Sequence, residues 1–197
     1  MVSPLGFALL SLLARQESTG YDLAQAMRRQ VSLFWSANHS QIYPELARLE
    51  GAGLIRHRVI DGAGPRPTKR YAATSAGLDA LRAFVVADPA PGPVRDLETL
   101  RLWSLWLLDP QAARELIRQV RATYVARLAE YEEVMAAVKA EPGSDRPDAP
   151  AFASRVTLEG GIRVTGANLD WCDWLLGELA AQGSGEGLVE VRDEVSR

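Results

Sequence analysis

A chain of 197 residues, 47% of them apolar, has material for one large or two small domains and needs no covalent staple to fold. Its single cysteine, Cys172, excludes an internal disulfide and a multi-cysteine metal site; no export signal opens the chain, and its longest apolar stretches (7–14 and 102–108) are too short to cross a bilayer, so the expectation is a cytoplasmic protein. The net charge of −3 conceals an asymmetry: residues 1–87 hold 10 Lys and Arg against 6 Asp and Glu (+4), whereas residues 88–197 hold 12 against 19 (−7), the pattern of one half that meets phosphate and one that does not.

Along the chain, Pro4 and the helically spaced Leu5, Leu9, Leu12 and Leu13 predict a first helix over 5–13. A second is expected over 21–31, burying Leu23 and Met27, with Arg28 and Arg29 near its end. Ser40 is the expected N-cap of a third helix, whose Ile42, Leu46 and Leu49 fall on one face and whose end is marked by Gly51 and Gly53. Gln41, Tyr43, Pro44, Ala47 and Arg48 are left on or beside the opposite face. Residues 54–60 and 69–73 read as a hairpin with a Gly- and Pro-rich tip over 61–68, and a fourth helix starts at Ser75 and ends before Asp88.

Three helices, a hairpin and a helix within about ninety residues is the order of a winged helix-turn-helix, with the third helix in the recognition position and the hairpin as a two-stranded wing. A helix entering the major groove needs polar side chains that reach base edges, flanked by groups that anchor on phosphate. The candidates are Ser40, Gln41, Tyr43 and Arg48 on the third helix, Asn38 and His39 just before it, and Arg66, Lys69 and Arg70 in the wing. Arg28 and Arg29 could also reach phosphate. Solvation is the competing reading for each cation, and the ring of Tyr43 could instead pack against the wing.

The back half predicts an all-helical domain over 94–181, followed by a tail over 182–197. Its segments are 94–108; a long helix after Asp109-Pro110 with a stripe through Ala113, Ile117, Val120, Tyr124, Leu128, Tyr131, Met135 and Val138; and 152–181, folding back antiparallel although Gly160, Gly161 and Gly166 weaken it. The fold class is therefore mainly α: a winged-helix domain over 1–88 joined through a Pro-rich linker to an all-helical domain.

Gly20-Tyr21-Asp22-Leu23, Gln41-Ile42-Tyr43-Pro44-Glu45-Leu46, Leu49-Glu50 and Gly53-Leu54-Ile55, continued by Lys69-Arg70-Tyr71, Thr74 and Gly77, resemble the PadR family of transcriptional regulators over about residues 5–83. Leu100-Arg101-Leu102-Trp103 before a long helix is similar to members with the larger helical C-terminal domain. The resemblance implies a homodimer held by its C-terminal helices, an inverted-repeat operator in double-stranded DNA, repression relieved by a small molecule, and a DNA-reading face around Gln41 and Tyr43. The wing tip, Pro65-Arg66-Pro67, departs from the Gly-rich tip expected of the family.

Trp103 and Trp106 lie three apart on one predicted helix, and Trp171 and Trp174 repeat the spacing on another. One reading is an aromatic-walled pocket for a small aromatic or hydrophobic effector; the other is ordinary core or dimer packing. Cys172 reads as a small buried residue. An enzyme fails on inventory, since both histidines fall in the front half and no nucleophile is paired with a base; no cofactor, metal or membrane is expected. The alternative from another class is a winged helix that serves only as a protein-interaction module.

Overall fold

The structure is a computed structural model that describes residues 2–31, 33, 39–60, 67–88 and 96–183, without the side chains of residues 30, 39, 182 and 183. The chain divides into two compact units, Met1–Pro91 and Gly92–Arg197.

In the first unit, α1 (Pro4–Leu13) opens on Ser3, whose hydroxyl oxygen accepts the Gly6 N–H at 2.9 Å. A short strand absent from the sequence prediction, β1 (Ser18–Thr19), leads into α2 (Gly20–Ala26) through a reciprocal cap. The Thr19 hydroxyl oxygen accepts the Asp22 N–H, and the Asp22 carboxylate accepts the Thr19 N–H, each at 3.1 Å. The helix predicted over 21–31 is composite, because α2 continues into a π-helical turn, Met27–Val31.

Recognition-position helix α3 (His39–Gly51) starts two residues earlier than a cap at Ser40 would give, so Ser40 sits inside its first turn and is not the cap. Pro44 falls in the second turn, where it removes the N–H that would bond the carbonyl of residue 40. Gly53, in the left-handed region at φ 71°, ends the helix with the Leu54 N–H on the Leu49 carbonyl at 2.9 Å. The wing follows as β2 (Ile55–Ile60) and β3 (Thr68–Ala73), paired antiparallel from Ile55↔Ala73 to Ile60↔Thr68. The expected two-stranded wing gains β1 as a third strand, through Ser18↔Tyr71 and Thr19↔Arg70, in the order β1-β3-β2. Helix α4 (Ser75–Val86), capped by Thr74, closes the unit.

Leu9, Leu10, Leu23, Ile42, Leu46 and Ile55 are fully buried together. Each such side chain contributes about 1.5–3 kcal/mol, against about 0–1 kcal/mol for an exposed ion pair, so the apolar face of α3 and not its surface charge fixes its orientation.

In the second unit, α5 (Leu97–Trp103) is capped by Asp96, and a separate 3₁₀ turn, Leu105–Leu107, precedes α6 (Pro110–Ala140), capped by Asp109. Helix α7 (Pro150–Gly183) runs back antiparallel to α6: Arg114 donates to the Leu179 carbonyl at 2.9 Å, Arg121 pairs with Asp173 at 2.6 Å, and Tyr131 lies against Gly161. Ala151, Leu158, Thr165 and Cys172 are buried at seven-residue intervals on α7, and Ile117, Tyr131 and Val138 are buried at multiples of seven on α6. That period is the mark of a coiled-coil seam. Gly161 belongs to this seam, since a Cβ there would lie 2.6 Å from Cζ of Tyr131. Gly160 and Gly166 face open space.

Candidate nucleic-acid interface

On α3 the burial pattern divides the helix as the sequence predicts. Ile42, Leu46 and Leu49 are in the core, and Ser40, Gln41, Tyr43, Pro44, Ala47 and Arg48 are exposed. His39 opens α3, but its side chain lies outside the described residues, as do Asn38 and Arg66 entirely.

Tyr43 is 49% exposed, and its ring is seated on the start of α2, where a Cβ on Gly20 would come within 2.6 Å of Cε1. Gly20 therefore lets the aromatic ring of α3 rest against the preceding helix. Packing against the wing is the competing reading of Tyr43, and its hydroxyl is near enough to Tyr71 of the wing to act on that phenol.

Strand parity sorts the wing cations. Ile55, His57 and Val59 share a face with Ala73, Tyr71 and Lys69, whereas Arg56 and Arg58 share the other with Ala72 and Arg70. His57 Nδ1 contacts Glu50 Oε1 at the end of α3, so Lys69 stands on the α3 side of the sheet. It is exposed and has no partner among the described residues. Arg70 lies on the opposite face, half-buried, with Nη1 donating to the Glu17 carbonyl at 3.4 Å. Arg58 beside it pairs with the Glu17 carboxylate at 2.9 Å. Sequence reasoning passed over Arg56 and Arg58, although their two-residue spacing within a predicted strand places both on one face. Behind Lys69, Tyr71 is buried, and its phenol is raised above its ordinary value by that burial and then by the Glu50 carboxylate.

In the back unit one of the two tryptophan pairs departs from the single helix expected of it. Trp103 ends α5, whereas Trp106 lies on the 3₁₀ turn beyond a break at Ser104, so the two do not share one helix; they are 80% and 79% exposed. Trp171 and Trp174 do share α7, and both are exposed. None of the four borders the open groove of about 710 Å³ between α5 and α6, which is walled by Leu97, Leu102, Leu116 and Val120 and rimmed by Arg101, Gln119 and Thr123. Two acids at its edge are already engaged. Asp96, held below the usual carboxylate range chiefly by hydrogen bonds from Thr99, caps α5, and Glu98 accepts the Tyr124 hydroxyl at 3.1 Å. Arg101 has no partner among the described residues.

A core-anchored helix with a polar outer face, a basic wing beside it and a separate helical unit define the winged-helix class of transcriptional regulators. Residues 9–83 match the transcriptional regulator PadR-like family, and residues 94–180 match the virulence activator alpha C-terminal family. Over 177 residues, 87% of this chain and 95% of the relative, the sequence is 30% identical to the negative transcriptional regulator PadR of Bacillus subtilis. The crystal structure of that protein in complex with operator DNA superposes with a TM-score of 0.80 at 26% identity, covering 90% of this chain and 99% of the other. Its complex with p-coumaric acid superposes with a TM-score of 0.76 at 26% identity, covering 89% and 98%. The chain belongs to the PadR-like family of transcriptional regulators.

Proposed function

We propose that the chain is a homodimeric repressor that acts in the cytoplasm, reads an inverted-repeat operator with two copies of α3, and is released by a small aromatic or hydrophobic effector. The observation that carries this reading is the two-sided α3: its inner face is locked into the core, and Gln41, Tyr43 and Arg48 are presented outward beside Lys69 of the wing. Side chains of this kind read base edges, and a neighbouring cation anchors on phosphate. The likeness to a relative solved with operator DNA supports the same assignment. Of the predicted contacts, Ser40, Gln41, Tyr43 and Arg48 are assigned to the major groove and Lys69 to the backbone. Arg70, turned to the other face and tied to Glu17, is assigned a supporting role.

Dimerisation is supported by the back unit, where Leu97, Leu100, Trp103, Trp106, Leu107 and Leu108 are exposed apolar side chains of the kind a second copy could cover. Two α3 helices in such a dimer would sit about 34–36 Å apart, or a multiple, to meet successive turns of one groove. For the effector, the groove between α5 and α6 is a better seat than the separated tryptophans: apolar walls suit an aromatic body, and the guanidinium of Arg101 suits a carboxylate.

Binding to the chain's own promoter region and to an unrelated duplex at two salt concentrations tests the reading. Promoter preference with a steep salt dependence is expected. Equal affinity for both duplexes at every salt would leave a protein-interaction module as the function.

A further inference from the structure

One charged side chain of α3 points the wrong way for a helix that meets DNA. Glu45 is 6% exposed, buried among α1 and α3 between the outward-facing Tyr43 and Arg48. A carboxylate is strongly disfavoured in such surroundings unless both oxygens are satisfied. Here both are. Oε1 accepts the Ser3 hydroxyl at 2.7 Å, and Oε2 accepts Nη1 of Arg48 at 2.9 Å.

Ser3 thereby carries two tasks, since its oxygen accepts the Gly6 N–H as the cap of α1 while its proton goes to Glu45. The same carboxylate needs Gly6, where a Cβ would lie 2.6 Å from Oε1. A serine, a glycine three residues on, and an acid some forty residues later thus form one device that ties the start of α1 to the middle of α3. Arg48, 64% exposed, is its outer end. One of the five guanidinium N–H donors is committed to Glu45, and the remainder are left to face outward in a fixed plane.

Building on the reading of α3 as the DNA-contacting helix, we infer that Glu45 is a positioning residue for sequence recognition: anchored on Ser3, it holds the Arg48 guanidinium in the orientation that discriminates the operator. Glu45 itself touches no DNA. A merely structural clamp would behave differently. Its loss would weaken the fold and lower affinity for every duplex alike.

The test measures full-chain affinity for the promoter region and for a random duplex of equal length, with the thermal midpoint recorded for each variant. Glu45→Gln keeps the size and an acceptor for Ser3 but loses the charged hold on Arg48. It also removes a negative charge from the DNA-binding unit, which favours phosphate contacts in any sequence. The promoter-to-random ratio is expected to fall about fivefold or more, the low end of what one well-placed side chain contributes to discrimination, while random affinity holds or rises. In an Arg48→Gln background the same change is expected to leave the ratio unmoved. Arg48→Lys, which keeps a cation beside the buried Glu45 carboxylate, is expected to lower the ratio to a similar degree because it keeps the charge and loses the fork, and its thermal midpoint reads any cost to the fold separately. Parallel loss on both duplexes, an effect of Glu45→Gln that persists without Arg48, or an unchanged ratio in Arg48→Lys would each overturn the inference. Absence of promoter preference in the unaltered protein would overturn the parent reading and this inference with it, and it would be visible before any variant is made.

Discussion

Adjacent glycines in α7 offer an internally controlled test of the helical hairpin. Gly160 and Gly161 share the same helix interior and the same intrinsic penalty, so replacing either by Ala relieves about 1 kcal/mol of poor helix propensity. Their surroundings differ. A Cβ at 160 meets nothing within 4 Å, whereas one at 161 would stand 2.6, 2.7 and 2.9 Å from Cζ, Cε1 and the hydroxyl of the buried Tyr131. Overpacking a seam that is already dense costs about 1–3 kcal/mol, because the ring leaves its rotamer or the helices separate. Gly160→Ala is therefore expected to stabilise by about 1 kcal/mol. Gly161→Ala should be neutral to destabilising by about 2 kcal/mol, a gap of about 1–3 kcal/mol attributable to Tyr131 alone. Urea denaturation at one fixed protein concentration reads both, since the midpoint of an associating chain depends on concentration. Equal stabilisation by the two variants would refute the packing of α6 on α7 at this level.

Gly20→Ala, which would place a methyl group 2.6 Å from the Tyr43 ring, is expected to weaken promoter binding and to add little to the loss already caused by Tyr43→Ala; additive losses in a titration of the four proteins would separate the two residues. The Tyr124 phenol is pushed up to about 12, first by burial and then by its hydrogen bond to Glu98. The folded state therefore holds that proton more tightly than the unfolded one, and the resulting stability is complete below pH 10 and lost as pH rises from 10 toward about 12. Urea midpoints across this window should fall more steeply for the unaltered protein than for Tyr124→Phe, and matching slopes would discard the linkage. Burial, and then the Glu98 carboxylate, likewise raises the Cys172 thiol. Its reaction with an aromatic disulfide at pH 8 is expected to be roughly a hundredfold or more slower in the native protein than in urea, and comparable rates would contradict its place in the seam.

What the sequence revealed and what it concealed follow from the range of the forces involved. Helices α1, α3 and α6 were legible because each carries its apolar stripe within its own segment, as Ile42, Leu46 and Leu49 do on α3. Strand β1 was not, because Ser18 and Thr19 become a strand only through pairing with Tyr71 and Arg70, some fifty residues away. Gly161 was read as a weakness for the same reason: its propensity penalty is local, whereas the ring that requires its small size comes from another helix.

The same distinction divides the candidate interface. Which residues of α3 face outward was decided by helical period, and Gln41, Tyr43 and Arg48 could be named from the sequence. How they are held could not, since the seat of Tyr43 is a glycine on α2 and the hold on Arg48 runs through a buried acid to a serine on α1. The wing shows the converse case. Lys69 and Arg70 are neighbours in sequence, yet strand alternation sends one toward α3 and the other to the far face beside Glu17. A charge count therefore overstates this surface, and the contribution of each cation depends on which side of the sheet it occupies and on whether a carboxylate or carbonyl already holds it. By that measure Lys69, on the α3 side with no partner among the described residues, is the wing cation best placed to add to the salt dependence of DNA binding, ahead of Arg58 and Arg70.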